Sequence, residues 1–133
     1  MDVGISVVLA NASQPVFLLS SSPHMHQLGV HAKLEVLRAD GSIEVVHDKA
    51  FTFEDQVSTP LDPPVQLNNG DKVRTTCVYQ NNTSTAVAFG EGSYDEMCFN
   101  FASYYPSCGF TCKPQDFFSQ TIQSSQGGGC PSN

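Results

Sequence analysis

Residues 30–38 alternate with period two, placing Ala32, Leu34 and Val36 on one side of an extended chain and His31, Lys33 and Glu35 on the other. Asp40-Gly41 follows at once, a dipeptide that accepts the positive φ angles of a two-residue hairpin turn, and the chain returns through Ile43-Glu44-Val45-Val46-His47. A hairpin with one apolar face needs more strands and a second layer to cover it, and that requirement constrains everything else in the chain.

The remaining segments meet it. Residues 4–9, 16–19, 51–54, 72–79, 85–89 and 97–105 read as further strands. Between them stand the turn-forming 11–15, a Pro-rich loop at 59–64, the turn Asn69-Gly70-Asp71, a polar loop at 80–84 and the turn 90–93. No segment has helix length, a helical apolar stripe and caps. The expected fold is all-β, an antiparallel β-sandwich of jelly-roll type with about eight to nine strands. Residues 1–106 form the sandwich domain, and 107–133 read as a Cys-containing, Gly/Ser-rich tail.

Charge narrows the function classes. A net charge of −7 with six unclustered basic residues argues against nucleic acid and against anionic membranes. No apolar run approaches the roughly 20 residues of a membrane span. The start lacks the basic region of a signal peptide, and a first strand begins almost at once, so Met1 reads as an engineered or fragment start, with further sequence expected upstream. The five cysteines, Cys77, Cys98, Cys108, Cys112 and Cys130, show no Cys-x-x-Cys pair, which favours disulfides in an oxidising compartment: secreted, periplasmic or in the lumen of a secretory vesicle. Three Asn-x-Ser/Thr triplets begin at Asn11, Asn81 and Asn82.

The chemistry-bearing stretch is His24-Met25-His26. In an extended strand residues two apart share a side, so two imidazoles stand together while Met25 turns away. Two imidazoles need a third ligand, and a thioether such as Met97 biases the site towards Cu(I). Asp95 or Glu96 in its place would instead make a zinc site. Pro23 cannot donate to a ladder, so the chain beside His24 is expected to be an edge, a bulge or a strand restart. His31 reads as a solvated side chain. His47, sharing a face with Ile43 and Val45, reads as a hydrogen-bonded histidine at the core edge.

His24-x-His26-x-Leu28-Gly29, Asn69-Gly70-Asp71 with Cys77, Asp95-Glu96-Met97-Cys98 and Tyr104-Tyr105-Pro106 occur in an order and with gaps that together resemble the C-terminal domain of the copper type II, ascorbate-dependent monooxygenases, the group of dopamine β-monooxygenase and peptidylglycine α-hydroxylating monooxygenase. The resemblance covers residues 4–106, and the stretch from Met97 to Pro106 is nearer the dopamine-type branch. It implies one copper ion, cycling between Cu(I) and Cu(II), held by His24, His26 and Met97, with dioxygen as co-substrate and ascorbate as reductant. It further implies C–H hydroxylation with no catalytic residue beyond the metal ligands, and a disulfide between Cys77 and Cys98. Cys108, Cys112 and Cys130 must then pair in another way, as Cys112 with Cys130 or Cys108 with Cys112.

The family's N-terminal electron-transfer copper domain, with three further histidines, has no counterpart in these 133 residues, so turnover would need such a domain or another electron donor. The alternative is a non-catalytic copper-binding β-sandwich for storage, delivery or interaction. The positions that hold a peptide carboxylate in the peptide-type branch are Ser22, Phe99 and Phe101 here, which disfavours that substrate and fits a small aromatic or otherwise apolar one. If the domain stands alone, the face carrying His24 and His26, which in the family looks across a cleft to the other copper domain, is expected to be solvent-exposed.

Overall fold

The structure, a computed structural model, describes the backbone of residues 2–10, 15–105 and 111–115 and the side chains of residues 15–105. The strands are β1 (Asp2–Ala10), β2 (Val16–His24), β3 (Gly29–Leu37), β4 (Ile43–Ala50), β5 (Thr59–Leu67), β6 (Lys72–Tyr79), β7 (Phe99–Phe101), β8 (Tyr104–Tyr105) and β9 (Thr111–Gln115). One sheet runs β4-β3-β6-β1-β9; the other runs β5-β2-β7, with β8 also pairing β2. All of these strand pairings are antiparallel. Among the described residues no helix is long and apolar enough to cross a membrane.

The apolar alternation decides which faces meet. Ala32, Leu34 and Val36 of β3 are buried, as their spacing requires. Val36 packs with Val16 and Leu18 of β2 and Leu67 of β5, so the core lies between the sheets and the architecture is a β-sandwich. A second cluster at one end joins Met25, Ala32, Phe51, Cys77 and Cys98. That end carries the histidines.

Turn chemistry fixes the register. Gly41 has φ 90° and Gly70 φ 87°, values that favour glycine. A Cβ at Gly41 would meet nothing within 4 Å, so its substitution isolates the backbone cost. Gly41→Ala is expected to lower stability by about 1 kcal/mol and Gly41→Asn by less, measured as a shift of denaturation midpoint. Asp71 joins the two turns: its carboxylate accepts from Arg38 Nη1 (2.7 Å), Asn68 N (2.9 Å) and Ala39 N (3.0 Å). Burial alone would raise the pKa of Asp71, but these donors and the Arg38 charge hold it below the usual carboxylate range.

Several elements differ from the sequence expectation. Residues 51–54 are not a strand: Phe51 is drawn into the core, its amide bonds Val30 O, and a turn follows. Residues 59–64 are not a loop but part of β5. This is possible because β5 lies at a sheet edge, and because its pairing with β2 shifts register between Leu18 and Ser20, where Pro63 and Pro64 are passed over. Residues 85–89 form no strand; Phe89 makes only an isolated bridge to Glu96. The expected strand 97–105 is split into β7 and β8. At Pro23 the edge alternative holds and the strand restart does not: the pairing of β2 with β5 ends at Ser21, and from there β2 is paired on the β7 side alone among the described residues. The turn 11–14 and the side chains of Cys108, Cys112 and Cys130 lie outside the described residues.

Candidate metal centre

β2 delivers His24 at its last position, and His26 follows in the turn leading to β3. Their rings lie 5.4 Å apart between centroids and nearly perpendicular. Each imidazole is held through Nδ1. His24 Nδ1 donates to Gln56 Oε1 at 2.6 Å, and Gln56 Nε2 donates to Phe53 O at 2.9 Å, which fixes the amide so that its oxygen faces the histidine. His26 Nδ1 donates to the Asp95 carbonyl at 2.9 Å. Both partner atoms are pure acceptors, so both rings carry a proton on Nδ1, and in the neutral imidazole it is Nε2 that keeps the lone pair. This arrangement is the usual preparation of a metal-binding histidine.

The segment carrying Met97 is tied to the same place. Glu96 Oε2 accepts from His26 N (3.0 Å) and Oε1 from Leu28 N (2.6 Å). Tyr79 Oη donates to Met97 O at 2.7 Å. Burial, with the nearby Glu96 charge, pushes the Tyr79 hydroxyl above its ordinary range, so it remains a protonated donor. Cys98 is bridged to Cys77. β7 then pairs β2 with His24 opposite Phe99, Pro23 opposite Asn100 and Ser22 opposite Phe101. Asn100 Oδ1 accepts from Ser22 N (2.9 Å) and Ser21 Oγ (3.0 Å), and His47 Nε2 lies 2.7 Å from the same hydroxyl. Since that hydroxyl gives its proton to Asn100, His47 donates from Nε2. Burial, then the Lys49 charge, lower the His47 pKa and favour the neutral ring.

The two histidines differ in exposure. His26 is only 6% exposed, contrary to the expected open face, because Phe53 stands edge-on to it and Asp95 and Glu96 cover its backbone side. His24 is half-buried beside Phe101, which stacks on Phe99. His31 pairs with Asp48 on the surface and lies outside the site. His47 is hydrogen-bonded as expected, but it does not share a face with Ile43 and Val45. A bulge opposite Leu34 and Glu35 reverses the alternation, leaving Ile43 and Val45 exposed and turning His47 inward. No group of three or more His, Cys, Asp or Glu side chains comes together among the described residues, so the zinc alternative lacks its carboxylate ligand. Glu96 is spent on two amides, and Asp95 Oδ2 accepts from Gly92 N at 3.2 Å.

Comparison with known proteins bears on this arrangement. Residues 7–123 match the family described as copper type II ascorbate-dependent monooxygenase, C-terminal domain. The chain belongs to that family. Tyramine beta-hydroxylase of Caenorhabditis briggsae is 34% identical over 92 residues, 68% of this chain and 16% of that protein. Dopamine beta-hydroxylases of Canis lupus familiaris and Rattus norvegicus are 30% and 34% identical, each over 67% of this chain and 15% of their own length. The chain thus spans about one sixth of the relatives it matches. Three supports of the His-x-His turn escape sequence reading. Gln56 lies between the expected strand 51–54 and the Pro-rich loop 59–64 with no motif to mark it, the Asp95 carbonyl carries no side-chain signature, and the carboxylate of Glu96 serves backbone groups. Only Glu96 left a trace, since alternation sets it on the side opposite Met97.

Proposed function

We propose that this chain is the oxygen-activating copper domain of a C–H hydroxylating monooxygenase, with one copper held by His24, His26 and Met97. The observation that carries the reading is the pair of Nδ1-anchored imidazoles with both Nε2 atoms left for a shared ion. For Met97 the support is register. The β2–β7 ladder ends with His24 opposite Phe99, and directly opposed residues share a face; the same pairing carried two residues beyond that end would put Met97 across from His26. The donor set of two imidazoles and one thioether fits copper better than zinc or magnesium.

Copper held there would supply one-electron redox chemistry. The chain's own residues do the rest. Gln56 and the Asp95 carbonyl keep both rings in the metal-ready tautomer. Phe53 limits water around His26, and Phe99 with Phe101 offers apolar ring faces and no basic group for a peptide carboxylate. A small aromatic or otherwise apolar substrate suits this surface. Ascorbate or a second copper domain is the electron source, and an oxidising compartment, secretory or periplasmic, agrees with the Cys77–Cys98 bridge.

The test is anaerobic Cu(I) titration with X-ray absorption on the wild-type chain and on Met97→Ala. One tight equivalent is expected, with a copper–sulfur component that disappears in the variant. Absence of tight binding, or sulfur scattering that survives the substitution, refutes the three-ligand site.

A further inference from the structure

Glu96 is 9% exposed and both of its oxygens are engaged, yet among the described residues no lysine, arginine or histidine side chain pairs with it. Its two acceptors go to the amides of His26 and Leu28, on either side of the turn that leaves the histidine pair. A buried carboxylate spent on two backbone N–H groups is costly to desolvate unless the bonds are strong, and charge-assisted bonds to amides are among the strong ones. Its own backbone is pinned in turn, N to Ala88 O at 3.0 Å and O from Gly90 N at 3.1 Å. The preceding residue gives its carbonyl to His26 Nδ1, and the following residue is Met97.

We propose that Glu96 is the positioning residue that joins the two arms of the metal centre, locking the His26 turn onto the Met97 segment and fixing the His26 tautomer before any ion arrives. Three contacts fall on that turn from two consecutive residues: the His26 amide, the His26 ring and the Leu28 amide. The two amide contacts stop the turn from sliding along the 95–97 backbone, so the ring contact made by Asp95 O keeps its geometry. The chain thereby has its imidazole ordering done in the folded state rather than at metal binding. This rests on the copper reading for its consequence, but the lock itself is a property of the metal-free chain.

A glutamine at this site keeps one acceptor oxygen and turns an NH2 towards a second N–H donor, so one amide loses its partner. An aspartate keeps the charge but is one methylene too short to span both amides. In metal-free Glu96→Gln, amide exchange at His26 or Leu28 is expected to speed up by about tenfold or more, and the ring-nitrogen NMR signals of His26 to shift from Nδ1-protonated towards a tautomer mixture. The copper-loaded variant is expected to lose or weaken the copper–sulfur component. Glu35→Gln serves as the control for general destabilisation, because Glu35 is a buried carboxylate of β3 that pairs with Arg74 at 2.8 Å. It should leave the His26 signals unchanged. Should Glu96→Gln not fold, Glu96→Asp makes the same measurements. Unchanged amide exchange with an unchanged His26 tautomer overturns the proposal, as does an equal His26 response in Glu35→Gln. A wild-type chain that binds no copper would instead refute the function proposed above, while the metal-free measurements still decide the role of Glu96.

Discussion

Replacing Cys77 and Cys98 together by alanine is expected to lower the unfolding free energy by about 3 kcal/mol, a fall of roughly 10 °C in the thermal midpoint. The bridge closes a sequence separation of 21, and breaking it returns that loop's entropy to the unfolded chain. For a domain whose whole stability is of order 5–15 kcal/mol, this is a large fraction. The consequence extends past stability, because Cys98 directly follows Met97 while Cys77 sits in the middle strand of the larger sheet. The variant should therefore weaken copper binding even at temperatures where it remains folded. Denaturant unfolding beside a competitive Cu(I) titration measures the two effects separately. Both cysteines are almost wholly inaccessible, so added thiol should reproduce the loss only under conditions that open the core. Rapid reduction of the native protein would contradict this burial.

The second large effect is expected at Met25. Its side chain is fully buried against Ala32, Phe51, Cys77 and Cys98, and it lies between the two histidines in sequence. Packing around it is close: a Cβ added at Gly29 would stand 2.6 Å from Met25 Cβ and 2.9 Å from its sulfur. Met25→Ala is expected to cost about 2–5 kcal/mol, the range for truncating a buried side chain without full collapse of the cavity. Met25→Leu, which conserves volume, should cost less than about 1.5 kcal/mol. Because the residue pins the backbone between His24 and His26, the alanine variant should also lose copper affinity while the leucine variant keeps it. Equal affinities in the two variants would show that the histidine turn is held from outside the core alone.

Local pattern carried much of this architecture. The β3–β4 hairpin and β6 follow from alternation and from Asp40-Gly41 and Asn69-Gly70, whose backbone demands are met within a few residues. What escaped was decided by distant partners. Residues 59–64 are dense in proline and read as a loop, but an edge position with a bulge lets the same residues join a sheet. Phe51 and Phe53 have strand propensity, yet the core cluster claims Phe51 and frees the next residues to carry Gln56 to His24. The bulge in β4 reverses the faces of Val45 and His47, and no single-strand period anticipates a two-against-one register. At the site, the side-by-side placing of His24 and His26 was legible because side chains at i and i+2 share a side, which is a local pattern. Their orienting partners, at positions 56 and 95, were not, because an amide and a main-chain carbonyl acquire meaning only once the chain has folded.

The position of β5 has one more consequence. A strand at the border of a sheet offers its outer N–H and C=O groups to any extended chain that comes near, and this is how sheets grow into aggregates. β5 carries Pro60, Pro63 and Pro64, none of which can donate, and its register breaks midway. An incoming strand finds no unbroken row of donors to copy. The proline content that disguised this segment as a loop thus protects the smaller sheet from templating, at the border where β2 would otherwise have a regular and extensible neighbour.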